Sequence, residues 1–102
     1  MTKPDLPRAV RDPDGRNVEF TERSWHHIMV ERPELLDDVD AILLVIASPE
    51  HREVDPRSAR ERFYRRRVMD KVRWLRVVVD FSEAPAFVVT AFIQRKDPTR
   101  QR

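Results

Sequence analysis

The chain contains no cysteine and a single glycine among its 102 residues. Without cysteine it has neither a disulfide framework nor a thiolate site. One glycine is too few for the glycine-rich loops that cradle phosphates in P-loop and dinucleotide-binding proteins. The composition therefore excludes these classes of site before any other feature is considered.

Long hydrophobic runs are also missing. The first five residues, Met1-Thr2-Lys3-Pro4-Asp5, lack the apolar core of a signal peptide. No apolar segment approaches the roughly 20 residues that a membrane-spanning helix needs. We therefore expect a soluble, cytoplasmic protein without a membrane partner.

Charged residues are abundant, at 37% of the chain, and unevenly distributed. Residues 1–56 hold 7 Lys and Arg against 13 Asp and Glu, a net charge of −6, whereas residues 57–102 hold 13 against 5, a net charge of +8. Such a division suggests an anionic partner for the basic half. The alternative is that acidic helices and basic strands complement one another within the fold.

Apolar spacing predicts two helices in the first half of the chain. Thr21 is a good N-cap for a helix over residues 22–31, and this helix ends before Pro33 because the residue preceding a proline disfavours the helical region. A second helix ends before Pro49. It is predicted from six apolar residues at helical spacing, Leu35, Leu36, Val39, Ile42, Leu43 and Ile46.

Runs of β-branched and aromatic residues predict strands elsewhere. The strongest run, residues 73–81, is expected to be a central and largely buried strand, followed by an apolar strand over residues 86–94. Weaker patterns indicate a first strand at residues 16–20 and a short edge strand at residues 50–55. Residues 60–67 are predicted as a strand, with a short basic helix as the alternative.

The order of these elements predicts an α+β fold, with two N-terminal helices packed on one face of a mainly antiparallel sheet of four to five strands. Residues 1–14 are predicted to be a flexible lead-in, residues 15–94 a single domain, and residues 95–102 a basic, flexible tail. One face of the sheet would then be left for function.

Strand alternation divides the basic segment over residues 57–76, which holds nine Lys and Arg, into two faces. Arg62, Tyr64 and Arg66 share one face, and Arg65 lies on the other. Arginine suits phosphate oxygens, and an aromatic ring among arginines can stack on a base. The competing interpretation is a solvated edge strand whose charge opposes aggregation.

Two histidines and a threonine are further candidates for chemistry. His26 and His27 lie about 100° apart on the helix, so they cannot share a role, and His27 faces away from the apolar stripe. Histidine carries protons near neutral pH, although a boundary or solvated position is the more common explanation for each. Thr90 lies in an apolar strand, where its hydroxyl needs a partner. No residues have the spacing of a metal site, and His51 near Glu53 is a weak pairing.

Six short motifs follow one order along the chain. They are Trp25-His26-His27-Ile28, Arg32-Pro33-Glu34, Pro49-Glu50, Phe63-Tyr64-Arg65-Arg66, Trp74-Leu75-Arg76-Val77-Val78-Val79 and Val89-Thr90-Ala91-Phe92. This order resembles small phage- and mobile-element-associated members of the barnase–EndoU–colicin–RelE (BECR) group of ribonuclease-like proteins. The resemblance covers residues 18–94, and Arg32 stands where the pattern usually has histidine.

The resemblance implies metal-independent RNA cleavage without a cofactor. A ribose 2′-hydroxyl would attack the adjacent phosphorus and leave a 2′,3′-cyclic phosphate, with His27 transferring a proton and arginines stabilising the developing charge. The residues implied as catalytic are His27, Arg62, Tyr64, Arg66 and Thr90. Those implied for substrate binding are Arg65, Arg76 and Phe92.

The implied partners are RNA and, for a toxin, a cognate antitoxin protein. The alternative is a non-catalytic nucleic-acid- or protein-binding module of the same fold, and a relative that has lost its activity is a third possibility. Geometry discriminates between the first two. An arrangement of His27, an arginine and Thr90 around one concavity favours an enzyme, whereas His27 far from the arginines favours a binding module.

Overall fold

A mixed β-sheet forms the body of the structure, a computed structural model that describes residues 4–68 and 70–100. Within these residues the sheet has six strands, which in chain order are β1 (Arg8–Arg11), β2 (Asn17–Phe20), β3 (His51–Val54), β4 (Arg60–Arg66), β5 (Trp74–Asp80) and β6 (Ala86–Gln94). Their order across the sheet is β1-β2-β6-β5-β4-β3. The β2–β6 pair is parallel, and each other neighbouring pair is antiparallel. The outermost residues of the predicted lead-in and tail, 1–3 and 101–102, lie outside the described part of the chain.

The chain between β2 and β3 forms α1 (Glu22–Glu31), a 3-10 turn (Pro33–Leu35) and α2 (Val39–Ala47). The α+β class is therefore confirmed. Thr21 is the predicted N-cap of α1, and its hydroxyl accepts a hydrogen bond from the Ser24 backbone N–H at 3.0 Å. In residues 4–68 and 70–100 no helix has the length and apolar character needed to cross a membrane.

The prediction of four to five strands is wrong because β1 lies within the segment expected to be a flexible lead-in. Its sequence, Arg-Ala-Val-Arg, has little apolar content, and Pro7 and Pro13 flank it. β1 forms because it pairs along its whole length with β2, which places Val10 opposite Val18. The tertiary contact outweighs a weak local pattern.

Residues of the central strands and of both helices belong to one hydrophobic core. Leu75, Val77 and Val79 alternate along β5 and are buried. Ile28 of α1 and Ile46 of α2 belong to the same cluster. α1 contacts β6, and α2 contacts β4, β5 and β1. The segment predicted as a central buried strand is therefore observed as one.

An ion-pair network joins the turn between β1 and β2 to the opposite edge of the sheet. Arg16 donates to Asp12 Oδ2 at 2.8 Å and to the two Glu61 carboxylate oxygens at 2.8 and 2.9 Å. Arg52 of β3 donates to Asp14 Oδ2 at 2.9 Å and to Glu61 Oε1 at 3.2 Å. Since β1 and β3 are the two edge strands, these bonds require a strongly curled sheet.

Replacement of Arg16 by methionine is expected to destabilise the protein, because the Asp12 side chain is 0% exposed and the Glu61 side chain 12% exposed. Loss of a fully buried ion-pair partner costs roughly 3–5 kcal/mol. We expect about 2–3 kcal/mol, since the Arg16 side chain is itself 36% exposed. Urea denaturation of Arg16→Met measures this loss. Arg11→Met, at an exposed position of β1, serves as the control, and its free energy of unfolding should stay within about 0.5 kcal/mol of wild type. Equal stability of Arg16→Met and Arg11→Met would contradict the stabilising role of the network.

Candidate functional site

Strand register places most of the residues implied by the resemblance on one face of the sheet. Tyr64 of β4 lies opposite Arg76 of β5, which in turn lies opposite Phe92 of β6. We call this side of β4–β6, which faces away from the hydrophobic core, the outer face. By alternation it carries Arg62, Tyr64, Arg66, Trp74, Arg76, Val78, Thr90 and Phe92.

A β-bulge in β6 brings Thr90 onto the outer face. Val79 pairs with Val88 while its neighbour Val78 pairs with Thr90, so Val89 is an extra residue in the ladder. The bulge keeps Val88 in the core. It leaves both Phe87, opposite Asp80, and Thr90 on the outer face.

A cleft of about 470 Å³ lies between β3 and the segment that follows β6. We call it the Glu53 cleft. Its lining has four cationic side chains and two carboxylates, and consists of Glu53, Arg62, Tyr64, Arg76, Gln94, Lys96, Asp97, Pro98 and Arg100. The excess of positive charge makes it a natural binding place for an anion.

The Glu53 carboxylate is held by three neighbours. Tyr64 Oη donates to Glu53 Oε1 at 3.0 Å, His51 Nε2 lies 3.1 Å from Glu53 Oε2, and Arg62 Nη1 lies 3.6 Å from Glu53 Oε1. Burial raises the pKa of Glu53, but the hydrogen bonds from His51 and Tyr64 and the charge of Arg62 together bring it below the ordinary value. Glu53 is therefore ionised at neutral pH beside a histidine.

The Tyr64 side chain is buried, whereas stacking on a base would need an exposed ring. It is 2% exposed, its ring lies beside the His51 ring at a centroid distance of 5.5 Å, and Arg76 lies over it. No base can reach the ring in this arrangement. Burial raises the pKa of the Tyr64 phenol, which keeps it protonated as a donor to Glu53.

Arg76 is positioned by aromatic rings rather than by acids. Its guanidinium carbon lies 4.8 Å from the centroid of the Phe92 ring and 5.7 Å from that of Tyr64. Its Nε is buried and has no hydrogen-bond partner among the described residues. A buried N–H without an acceptor is costly, and a phosphate oxygen in the cleft would satisfy it.

Arg66 lies at the neighbouring end of the outer face. Its guanidinium carbon is 5.0 Å from the Trp74 ring centroid, and its Nη2 is 3.9 Å from Asp97 Oδ2. Arg66 and Trp74 line a second basic cleft of about 360 Å³ with Lys71, Val72, Arg95, Asp97 and Arg100. Since Asp97 and Arg100 line both clefts, the two form a continuous basic surface.

The structure places His27 apart from these residues. His27 is exposed on α1, one turn after Ser24, whose hydroxyl donates to the Val88 carbonyl at 2.6 Å. It lines a separate cleft of about 350 Å³ with Thr21, Arg23, Ser24, Arg60, Phe87, Val88 and Val89. An arginine of β4 is therefore close, but neither Thr90 nor Arg62 lines this cleft.

Arg65 lies on the opposite side of β4 from Arg62 and Arg66. Its Nη1 donates to the Ser48 carbonyl at 2.6 Å, which ties β4 to the end of α2. This agrees with the alternation expected from the sequence. The implied substrate-binding role of Arg65 does not fit the outer face, because strand alternation directs its side chain to the other side of the sheet.

In the sequence His51 and Glu53 form only a weak pairing, yet Glu53 lines the cleft and His51 contacts both Glu53 and Tyr64 beside it. His51 and Glu53 alternate on β3 and therefore share a face, opposite Tyr64 and Arg62 respectively. A histidine and a glutamate two positions apart in a predicted strand are the signal that would have identified them. Lys96 and Arg100 also line the cleft, although their segment was predicted to be a flexible tail.

Comparison of the chain with protein-family models, curated proteins and solved structures gives no match. The resemblance to the BECR group stays a prediction that rests on the order of short motifs. In the described part of the chain, no group of three or more histidine, aspartate and glutamate residues is placed to hold a metal ion. The chemistry of the clefts is therefore the basis for the proposal below.

Removal of the Tyr64 hydroxyl tests the arrangement around Glu53. In Tyr64→Phe we expect the pKa of Glu53 to rise, because one of the two hydrogen bonds that favour its carboxylate is lost. Carbon-13 NMR titration of the Glu53 side chain measures the change. Phe87→Leu, on the outer face but outside the Glu53 cleft, should leave it unchanged; an unaltered titration in Tyr64→Phe would show that the bond does not form.

Proposed function

We propose that this protein is a metal-independent endoribonuclease whose reaction takes place in the Glu53 cleft. One observation carries the proposal. The ionised carboxylate of Glu53 lines one cleft with the guanidinium groups of Arg62 and Arg76, and it is hydrogen-bonded to His51, whose ring lies beside that of Tyr64, another lining residue. The buried Nε–H of Arg76 has no partner among the described residues. A proton acceptor, a proton donor and cations close together are groups that can cleave a phosphodiester by acid–base chemistry.

In the proposed reaction, Glu53 accepts the proton of a ribose 2′-hydroxyl as the 2′-oxygen forms a bond to the adjacent phosphorus. The bond from phosphorus to the 5′-oxygen of the next nucleotide breaks, and His51 gives that oxygen a proton. Arg62 and Arg76 stabilise the added negative charge on the phosphate oxygens. The products are a 2′,3′-cyclic phosphate and a free 5′-hydroxyl.

The supporting residues keep the reacting groups in place. Tyr64 donates to Glu53 Oε1, and the other carboxylate oxygen, Oε2, is hydrogen-bonded to His51. The rings of Tyr64 and Phe92 hold the Arg76 guanidinium without neutralising it, because they supply no carboxylate. A cation that is oriented but unpaired is suited to charge that develops during a reaction.

The second candidate is a module that binds RNA without cleaving it. The continuous basic surface from Arg62 to Arg66 and Arg100 favours it, since phosphate binding needs cations alone. This alternative assigns no role in proton transfer to His51 or Glu53, so the two proposals differ in what their substitution does.

Cleavage of a mixed-sequence RNA in EDTA separates these candidates. We expect Glu53→Gln and His51→Asn each to lower the cleavage rate by about 10²–10⁴-fold, the usual contribution of a general base or acid. Glu34→Gln and His26→Asn replace exposed residues of the same types and should cleave as wild type does. The ends produced should be 2′,3′-cyclic phosphates.

A 2′-O-methyl RNA of the same sequence provides the chemical control, because it has no 2′-hydroxyl to attack. It should bind and remain intact. Cleavage of the methylated strand, or full activity in Glu53→Gln and His51→Asn, would contradict the proposed reaction. Salt-sensitive binding with intact RNA in all proteins would establish the binding module instead.

A further inference from the structure

The cleft beside His27, which we call the His27 cleft, has the features of a nucleotide-binding pocket and has no part in the proposed reaction. Its lining includes Arg23, His27 and Arg60 but no carboxylate. Phe87, a half-buried aromatic ring, lies in the same wall. Cations beside an aromatic ring are the usual elements of a site for one nucleotide of a single strand.

The His27 cleft lies between α1 and the sheet and reaches the outer face through Arg60 and Phe87, at some distance along that face from the Glu53 cleft. In the register of β4–β6, Arg60 and Phe87 flank Asp80, Arg62 and Thr90 flank Val78, and Tyr64 and Phe92 flank Arg76. An RNA strand that runs from the His27 cleft to the Glu53 cleft therefore passes over Arg62, Val78 and Thr90. From Arg60, which lines the His27 cleft, to Tyr64, which lines the Glu53 cleft, β4 spans about 13 Å at 3.3 Å per residue, and to Arg66 in the second basic cleft it spans about 20 Å.

We propose that the His27 cleft is a second subsite, which binds a nucleotide several positions away from the reacting phosphate in a single-stranded RNA. The proposal rests on the proposed function, since it takes the Glu53 cleft as the reaction centre. In this arrangement a base stacks on Phe87, and Arg60 and His27 bind a backbone phosphate. The RNA between the two clefts then passes Thr90.

Single-stranded RNA fits this surface better than a duplex. In a duplex the bases stack on one another and their faces are not available to Phe87. A face of about 20 Å is long enough for several nucleotides, since small single-strand-binding folds contact about 4–16. The second subsite therefore predicts a preference for strands longer than two nucleotides.

Fluorescence anisotropy with a labelled 2′-O-methyl octanucleotide tests the subsite without cleavage. We expect Phe87→Ala to weaken octanucleotide binding by about 5- to 150-fold, the range for loss of one base–aromatic stack. The exposed substitution His27→Ala should weaken it in the same direction and carries little risk of misfolding. A 2′-O-methyl dinucleotide, used as an unlabelled competitor, should show the same inhibition constant against wild type and both variants.

The control variant is Val30→Ala, an exposed residue of α1 that does not line the cleft. Unchanged octanucleotide affinity in both Phe87→Ala and His27→Ala would overturn the subsite, as would equal affinity of wild type for a duplex of the same length. These outcomes are independent of catalysis. If the octanucleotide binds through Phe87 while ordinary RNA stays uncut, the proposed nuclease activity is contradicted and the proposed subsite is supported.

Discussion

The alternation of side chains along three paired strands is the constraint on which both core and site depend. Phe63, Val77 and Ala91 lie side by side in the core, and their neighbours in sequence, Tyr64, Arg76 and Phe92, lie side by side on the outer face. A shift of one residue in register would bury arginines and expose the core. The hydrophobic effect that aligns the strands therefore also assembles the site.

The remaining members of the site depend on the curled edge of the sheet. His51 and Glu53 flank Arg52 on β3, and Arg52 bonds on the opposite side of that strand to Asp14 and Glu61. These ion pairs hold β3 from one side, and the other side of the strand directs His51 and Glu53, the proposed acid–base pair, toward Tyr64. Stability and the proposed chemistry are coupled through one short edge strand.

Local patterns were sufficient for α1 with its Thr21 cap and for the strands β5 and β6, because each is specified by spacing within its own segment. For β4 they favoured a strand but left a short basic helix as the alternative. The strand β1 was not predictable in this way, since it depends on pairing with β2 rather than on its own composition. The Glu53–His51 pair depends likewise on the β3–β4 pairing, which no single segment reveals. The opposite holds for Arg65 and His27. Sequence motifs implied a role for both in the site, but in the structure neither lines the Glu53 cleft.

The most direct test of the account is whether a phosphodiester occupies the position opposite Arg76. Nitrogen-15 NMR of arginine Nε–H groups, recorded while a 2′-O-methyl dinucleotide is added, reports on each guanidinium separately. The account predicts that Arg76 shows the largest shift and that Arg62 follows it, because they line the same cleft. A titration in which Arg76 is unaffected while arginines elsewhere respond would contradict the assignment of the Glu53 cleft as the place where RNA is bound and cut.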